Sequence, residues 1–208
     1  MARYTGPACR ICRRHGDKLM LKGAKCFTPK CPVVKRHSPP GQHGTMRRKV
    51  SEYSLQLKEK QKARYTYGVL ERQFKRHFDE AGRRPGLTGE NLMLVLEMRL
   101  DNTVFRLGFA ESRRQARQLV EHKHIAVNGR VTNIPSYIVK QGDVIAWKPG
   151  SLKSEAYKAA AQSIESKTIP NWLGLDRANL SGQVLSAPAP GEMESTIDHR
   201  LIVAFYSR

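Results

Sequence analysis

Residues 112–147 read SRRQARQLVEHKHIAVNGRVTNIPSYIVKQGDVIAW, and two kinds of local structure are written into them. Ser112 followed three residues later by Gln115 is a capping box, so a helix over 113–121 is expected. Ala116, Leu119 and Val120 share an arc of that helix that faces a core. Arg113, Arg114 and Arg117 fall on another arc, at about 0°, 100° and 40° around a 3.6-residue helix. Ile125–Val127, Asn128-Gly129 and Arg130-Val131 then spell a hairpin. A two-residue type I′ turn needs positive φ at both central positions, which Asn-Gly supplies. Tyr137–Val139 and Val144–Trp147, parted by Gly142-Asp143, predict further short strands.

Upstream, the pattern is helical. Ser51 as N-cap and Glu52 in the first turn open a helix to about Arg64. A second, over 70–81, places Leu70, Phe74, Phe78 and Ala81 on one face, with Gly82 as its stop. A third follows Thr88 and is apolar on most sides through Leu92, Leu94, Val95, Leu96 and Met98, so it is buried. Asp101–Leu107 continues or restarts the helix before Gly108. Asp101 reads as a helix cap rather than as an acid–base partner of His122 or His124. Downstream, 152–166 is Ala-rich and helical, 186–191 is a loop, and Leu201–Tyr206 (LIVAFY) reads as a buried strand or a docking terminus.

The first 45 residues differ. They are rich in Gly, Pro, Lys and Arg, show little periodicity, and cannot offset their chain entropy unaided. All four cysteines lie here, as Cys9-x2-Cys12 and Cys26-x4-Cys31. Two close pairs joined by a short loop are the layout of a tetrahedral four-thiolate site with no open coordination position. One structural Zn2+ is the expected cofactor, with an iron–sulfur cluster as the alternative. Arg10, Arg13, Lys25 and Lys30 flank the pairs and favour thiolate.

The charge singles out this same region. The chain carries +19, and residues 1–50 hold 13 Lys/Arg against one acid, Asp17, whereas 151–208 hold six of each. Such an excess self-repels unless a polyanion neutralises it, and nucleic acid is the commonest such partner. No run approaches the ~20 apolar residues of a membrane span. P-loop, dinucleotide-fold, serine-hydrolase and deaminase signatures are missing, so no catalysis and no small-molecule substrate are expected.

The run Arg99-Leu-Asp-Asn102, Arg106-Leu-Gly-Phe109, Ser112–Val120, His124–Gly129, Pro135-Ser-Tyr137 and Gly142–Ile145 closely resembles the small RNA-binding module named after ribosomal protein S4. The cysteine arrangement, Pro-Pro-Gly-Gln-His-Gly at 39–44, Glu-Lys-Gln-Lys at 59–62 and Phe205-Tyr-Ser-Arg208 resemble the bacterial ribosomal S4 family, over nearly the whole chain. The resemblance implies an α+β fold in three parts. These are a four-cysteine arm over 1–45, a helical domain over 46–97 completed by 159–208, and an inserted S4-type module over 98–158. It also implies a structural protein of the small ribosomal subunit, cytoplasmic with the ribosome. Such a protein binds the 5′ domain of the small-subunit rRNA early in assembly. It neighbours other small-subunit proteins and mRNA where it enters the subunit, and influences decoding accuracy.

The expected RNA-binding residues are Arg3, Arg10, Arg13, Arg14, Lys22, Lys30, Arg36, Gln42, His43, Arg47, Arg48, Lys49, Lys58, Lys60, Lys62, Arg64, Arg72, Arg113, Arg114 and Arg117. The expected metal ligands are Cys9, Cys12, Cys26 and Cys31. The alternative is a free-standing RNA-binding regulator or translational repressor built on the same module. A zinc-containing DNA reader is disfavoured because Cys31 leads into Pro32 and then Pro39-Pro40 rather than a recognition helix. A membrane adaptor lacks a basic amphipathic helix with an aromatic face.

Overall fold

A computed structural model describes residues 3–42 and 49–208. In chain order the elements are α1 (Ala8–His15), α2 (Pro32–Lys35), α3 (Glu52–Thr66), α4 (Glu71–Arg83), α5 (Thr88–Glu97), α6 (Leu100–Arg106), α7 (Arg113–Glu121), β1 (Ile125–Val127), β2 (Arg130–Val131), β3 (Val144–Trp147), α8 (Glu155–Ser163), β4 (Leu173–Asp176), β5 (Ser181–Val184) and α9 (His199–Tyr206). They form two compact units. One is the chain up to Leu92 together with Glu194–Arg208, and the other is Met93–Met193.

In the first unit, the arm is more regular than its composition suggests. Helix α1 buries Ala8, Ile11, Cys12 and His15, an i, i+3, i+4, i+7 stripe. A cysteine and a histidine within the stripe disguise it. Leu19 and Leu21 pack on the same cluster, and Gly16 at φ +77° ends the helix. A single helical turn, α2, does follow Cys31, with Pro32 at its start, where a missing N–H costs nothing.

Helix α3 begins as expected, with Ser51 Oγ accepting from the Ser54 N–H at 3.3 Å, and runs to Thr66. Helix α4 does not stop at Gly82. It passes through to Arg83 and ends because Pro85 forces Arg84 into extended backbone, ψ 146°. The LIVAFY segment is no strand. Asp198 caps it by accepting from the Arg200 N–H at 2.9 Å, and the capped helix α9 docks on α3 and α4. Phe205 lies 5.7 Å from the Tyr53 ring and Tyr206 lies 4.5 Å from Phe78. Tyr206 Oη donates to Glu71 Oε1 at 3.0 Å.

The second unit combines helices with a five-stranded antiparallel sheet ordered β2-β1-β3-β5-β4. Asn128 (φ 50°) and Gly129 (φ 77°) make the expected turn. The cap of α7 forms with one difference. Ser112 Oγ accepts from Gln115 N–H at 3.3 Å, but Gln115 Oε1 accepts from Glu111 N–H rather than from Ser112. Tyr137–Val139 makes no strand and only one bridge, Ile138 to Arg99.

Strands β4 and β5 were not foreseen. Ser181–Gln183 pairs with Val144–Ala146, so the segment assigned by sequence to the helical domain extends the module's sheet, and only Glu194 onward returns to the first unit. The core here joins Leu100, Val104, Leu107, Phe109, Val120, Ile125, Ile145, Trp172 and Leu180. Gly182 admits this packing, because a Cβ there would overlap the Leu107 side chain. Leu107 is fully buried, so Gly182→Ala should cost about 1–3 kcal/mol, read as a lowered denaturation midpoint. An unchanged midpoint would mean that Leu107 has room to move.

Candidate nucleic-acid interface

The four cysteines all face one small cavity in the arm. Ala8, Cys9, Cys12, Leu21, Cys26, Cys31 and Val33 line it together with Lys18 and Lys22, and it measures about 10 Å³, room for one water-sized particle. No disulfide joins any two of the four cysteines. Burial raises the Cys12 thiol above its ordinary value, and Cys26, Cys9 and Cys31 push the same way. The flanking cations that were expected to favour thiolate do not outweigh burial at Cys12. Among the described residues, no three His, Cys, Asp or Glu side chains are already disposed as a metal cage. The donor set nonetheless suits one thiophilic ion, because four cysteine sulfurs converge on a single ion-sized cavity.

Around this cavity the first unit sorts its cations. Arg3, Arg10, Arg14, Lys22, Lys30, Arg36, Lys49, Lys58 and Arg72 are exposed, as is Gln42. Arg13 is partly withdrawn, since its guanidinium donates to Ser38 O at 2.8 Å and so ties the Pro39-Pro40 link to α1. His43, Arg47 and Arg48 lie outside the described residues.

Burial corrects two expected contacts in this unit, Lys60 and Lys62, and partly withdraws Arg64. Lys60 is 4% exposed, pairs with Glu71 at 2.6 Å and lies 4.8 Å from the Phe205 ring centroid. Lys62 is 8% exposed and pairs with Asp17 at 2.9 Å. Arg64 is half-buried, 3.5 Å from Glu71 and stacked over Tyr65. A buried, paired ammonium cannot reach a phosphate without giving up its carboxylate, so Lys60 and Lys62 hold the helices together.

In the second unit the arginine stripe of α7 divides. Arg117 is 6% exposed, bonded to Glu121 at 3.1 Å and to Asp101 at 3.4 Å, and is the third correction. Arg113 donates to Asn102 Oδ1 at 2.7 Å and covers the Phe105 ring, and Arg114 is half-buried. Asp101 is neither cap nor catalytic acid. Arg99 occupies the cap position of α6, and its guanidinium binds both Asp101 oxygens, at 3.0 and 2.7 Å. His124 Nδ1 lies 2.9 Å from Ser151 Oγ.

Sequence reasoning missed other exposed cations. Lys75 and Arg76 continue the face of α4 begun by Arg72, at i+3 and i+4, a spacing that could have shown them. Lys123, Arg130, Lys140 and Lys148 are exposed around the hairpin and its neighbouring turns, where charge sits one residue at a time and gives no run. The arrangement gives each unit exposed cations over an interior whose buried cations are paired with carboxylates, which suits phosphate contact without base reading.

Comparison with known proteins gives concordant matches. A family model described as the ribosomal protein S4/S9 N-terminal domain matches residues 3–97, and the S4 domain matches 98–145. Small ribosomal subunit protein uS4A of Symbiobacterium thermophilum is 56% identical over 208 residues, the whole of both chains. The uS4 proteins of Dictyoglomus turgidum and Halothermothrix orenii are 54% and 52% identical over the same full span.

Proposed function

Because this chain belongs to the ribosomal protein S4 (uS4) family, we propose that it is a structural constituent of the small ribosomal subunit, acting in the cytoplasmic ribosome and catalysing nothing. It binds small-subunit rRNA and neighbouring subunit proteins. The finer reading places it on the 5′ domain of that rRNA early in assembly, beside mRNA where it enters, with an effect on decoding accuracy. The observation that carries the RNA-binding mechanism is the separation of exposed cations from carboxylate-paired ones. A free-standing regulator is not favoured, since the relatives match across the whole chain, cysteine arm included.

The cysteines hold one structural zinc in this reading. The cavity's size supports a single ion over a cluster, and the nearby Lys18 and Lys22 offset the negative charge of four thiolates. The bound ion supplies a cross-link, and the chain's own residues do the rest. Leu19, Leu21 and Ile11 close the core beneath it, and Arg13 anchors the link that follows.

Counterion release sets the test. If six or more of the exposed cations meet phosphates, affinity for small-subunit rRNA should fall by at least ~10³ between about 50 and 200 mM salt. Lys58→Ala should lower the log–log salt slope by about 1. Lys60→Ala should leave the slope unchanged and instead destabilise the fold. A salt-independent affinity, or failure to sediment with small subunits, overturns the proposal.

A further inference from the structure

A second cavity lies beside the cysteine core, and its lining differs from the rest of the surface. Tyr4, Pro7, Arg10, Ile11, Arg14, Pro40 and Tyr65 enclose about 200 Å³, partly open to solvent. Pockets for drug-sized ligands run to ~300–1,000 Å³, so this one takes a single planar ring and not a whole dinucleotide. Its walls are aromatic and aliphatic. Tyr4 stands edge-on to Tyr65 at 5.7 Å, and Ile11 and the two prolines complete the lining. Its rim is cationic, with Arg10 and Arg14 one helical turn apart on α1 and both exposed. Among the described residues, no carboxylate lines it.

A ring-sized slot between tyrosine and proline side chains, under a pair of guanidiniums, is the chemistry of a nucleotide. The base lies against aromatic and proline surfaces, and its phosphates reach the arginines. Two features hold the slot open. Arg13 fixes Ser38 and Pro39 by its backbone contacts, which sets Pro40 at the rim. Gly6 lets Tyr4 fold back over the chain, since a Cβ there would come within 2.6 Å of Tyr4 Cζ.

We propose that this cavity receives one nucleotide extruded from the bound RNA, anchoring the arm by a base contact in addition to phosphate contacts. The inference rests on the RNA-binding reading above. An acidic peptide would use the arginines but leave the ring slot empty, and for that reason RNA is the occupant we assign.

The test uses the full-length, metal-loaded protein, a full-length bacterial small-subunit rRNA transcript, and nucleotide-resolution chemical probing of the complex. Wild type should change the reactivity of one discrete unpaired nucleotide. Tyr4→Ala should abolish that change and weaken binding roughly 5- to 150-fold, the span of one lost base–aromatic stack, with the salt slope unaltered. Tyr4→Trp should retain both affinity and signal. Gly6→Ala, which displaces the Tyr4 ring without removing it, should behave like Tyr4→Ala. Arg10→Ala and Arg14→Ala should each lower the salt slope by about 1. If wild type binds the transcript and Tyr4→Ala binds it equally well with the same reactivity pattern, the pocket assignment falls and the RNA-binding reading stands. If wild type itself does not bind, the RNA-binding reading falls.

Discussion

Asp101→Asn lowers the unfolding midpoint of the Met93–Met193 unit by about 12–40 °C. Arg99 is fully buried and is held by both oxygens of Asp101, which also answers Arg117. The amide keeps the shape and removes the charge, so the buried Arg99 loses the carboxylate that holds it at two points and Arg117 is left to Glu121. Breaking a buried pair by removing one partner costs about 3–5 kcal/mol, and each kcal/mol moves the midpoint of a domain of this size by ~4–8 °C. Glu97→Gln should act in the same direction, because Glu97 is fully buried and holds Arg106 at 2.6 Å and Asn102 at 2.6 Å. Asp176→Asn, on the surface, should leave the midpoint where it was. Thermal melts followed by near-ultraviolet circular dichroism decide this. An Asp101→Asn melt that overlays wild type would mean that the arginines find other partners.

If the proposed zinc is in place, chelation produces the second large effect. Extracting the metal should release one ion per chain and open residues 3–42 to protease, while Met93–Met193 stays protected. Structural zinc binding contributes an apparent ~10–16 kcal/mol in small zinc domains, as much as the whole stability of an ordinary fold. The arm has little else beyond the cluster of Ala8, Ile11, Cys12, Leu19 and Leu21. Cys12→Ser, at a buried position, should reproduce the effect without chelator. Metal-free protein as isolated, or a cleavage pattern indifferent to chelator, would remove zinc from the account.

The elements legible in the sequence were those whose signals are local. The Ser51 and Ser112 caps, the Asn128-Gly129 turn and the apolar run from Leu92 to Met98 each carry their own cue. The elements that were not legible depend on partners far along the chain. Ser181–Val184 contains a glycine and two polar residues, so it has no strand signature. It becomes a strand because β3 offers it an edge. Residues 201–206 have strand composition, yet Asp198 caps them and the aromatic rings of α3 and α4 receive them.

The same division applies to the interface. Residue type and net charge marked Arg10, Lys58 and Arg72, but could not separate Lys58 from Lys60, two positions on. That distinction is made by Glu71 and by Phe205, more than a hundred residues away. Tyr4 and Tyr65 drew no notice because neither sits in a motif, and only the fold brings their rings together.

The insertion of one unit within the other orders events during biosynthesis. A nascent chain emerges from its N-terminus, so Met93–Met193 is complete before α9 has been made. Until then α3 and α4 expose Tyr53, Phe74 and Phe78, and the ammonium of Lys60 lacks the rings of Phe205 and Tyr206 that cover it in the finished protein. The aromatic contacts of the outer unit thus wait on its last helix, whereas the inner unit is contiguous in the chain.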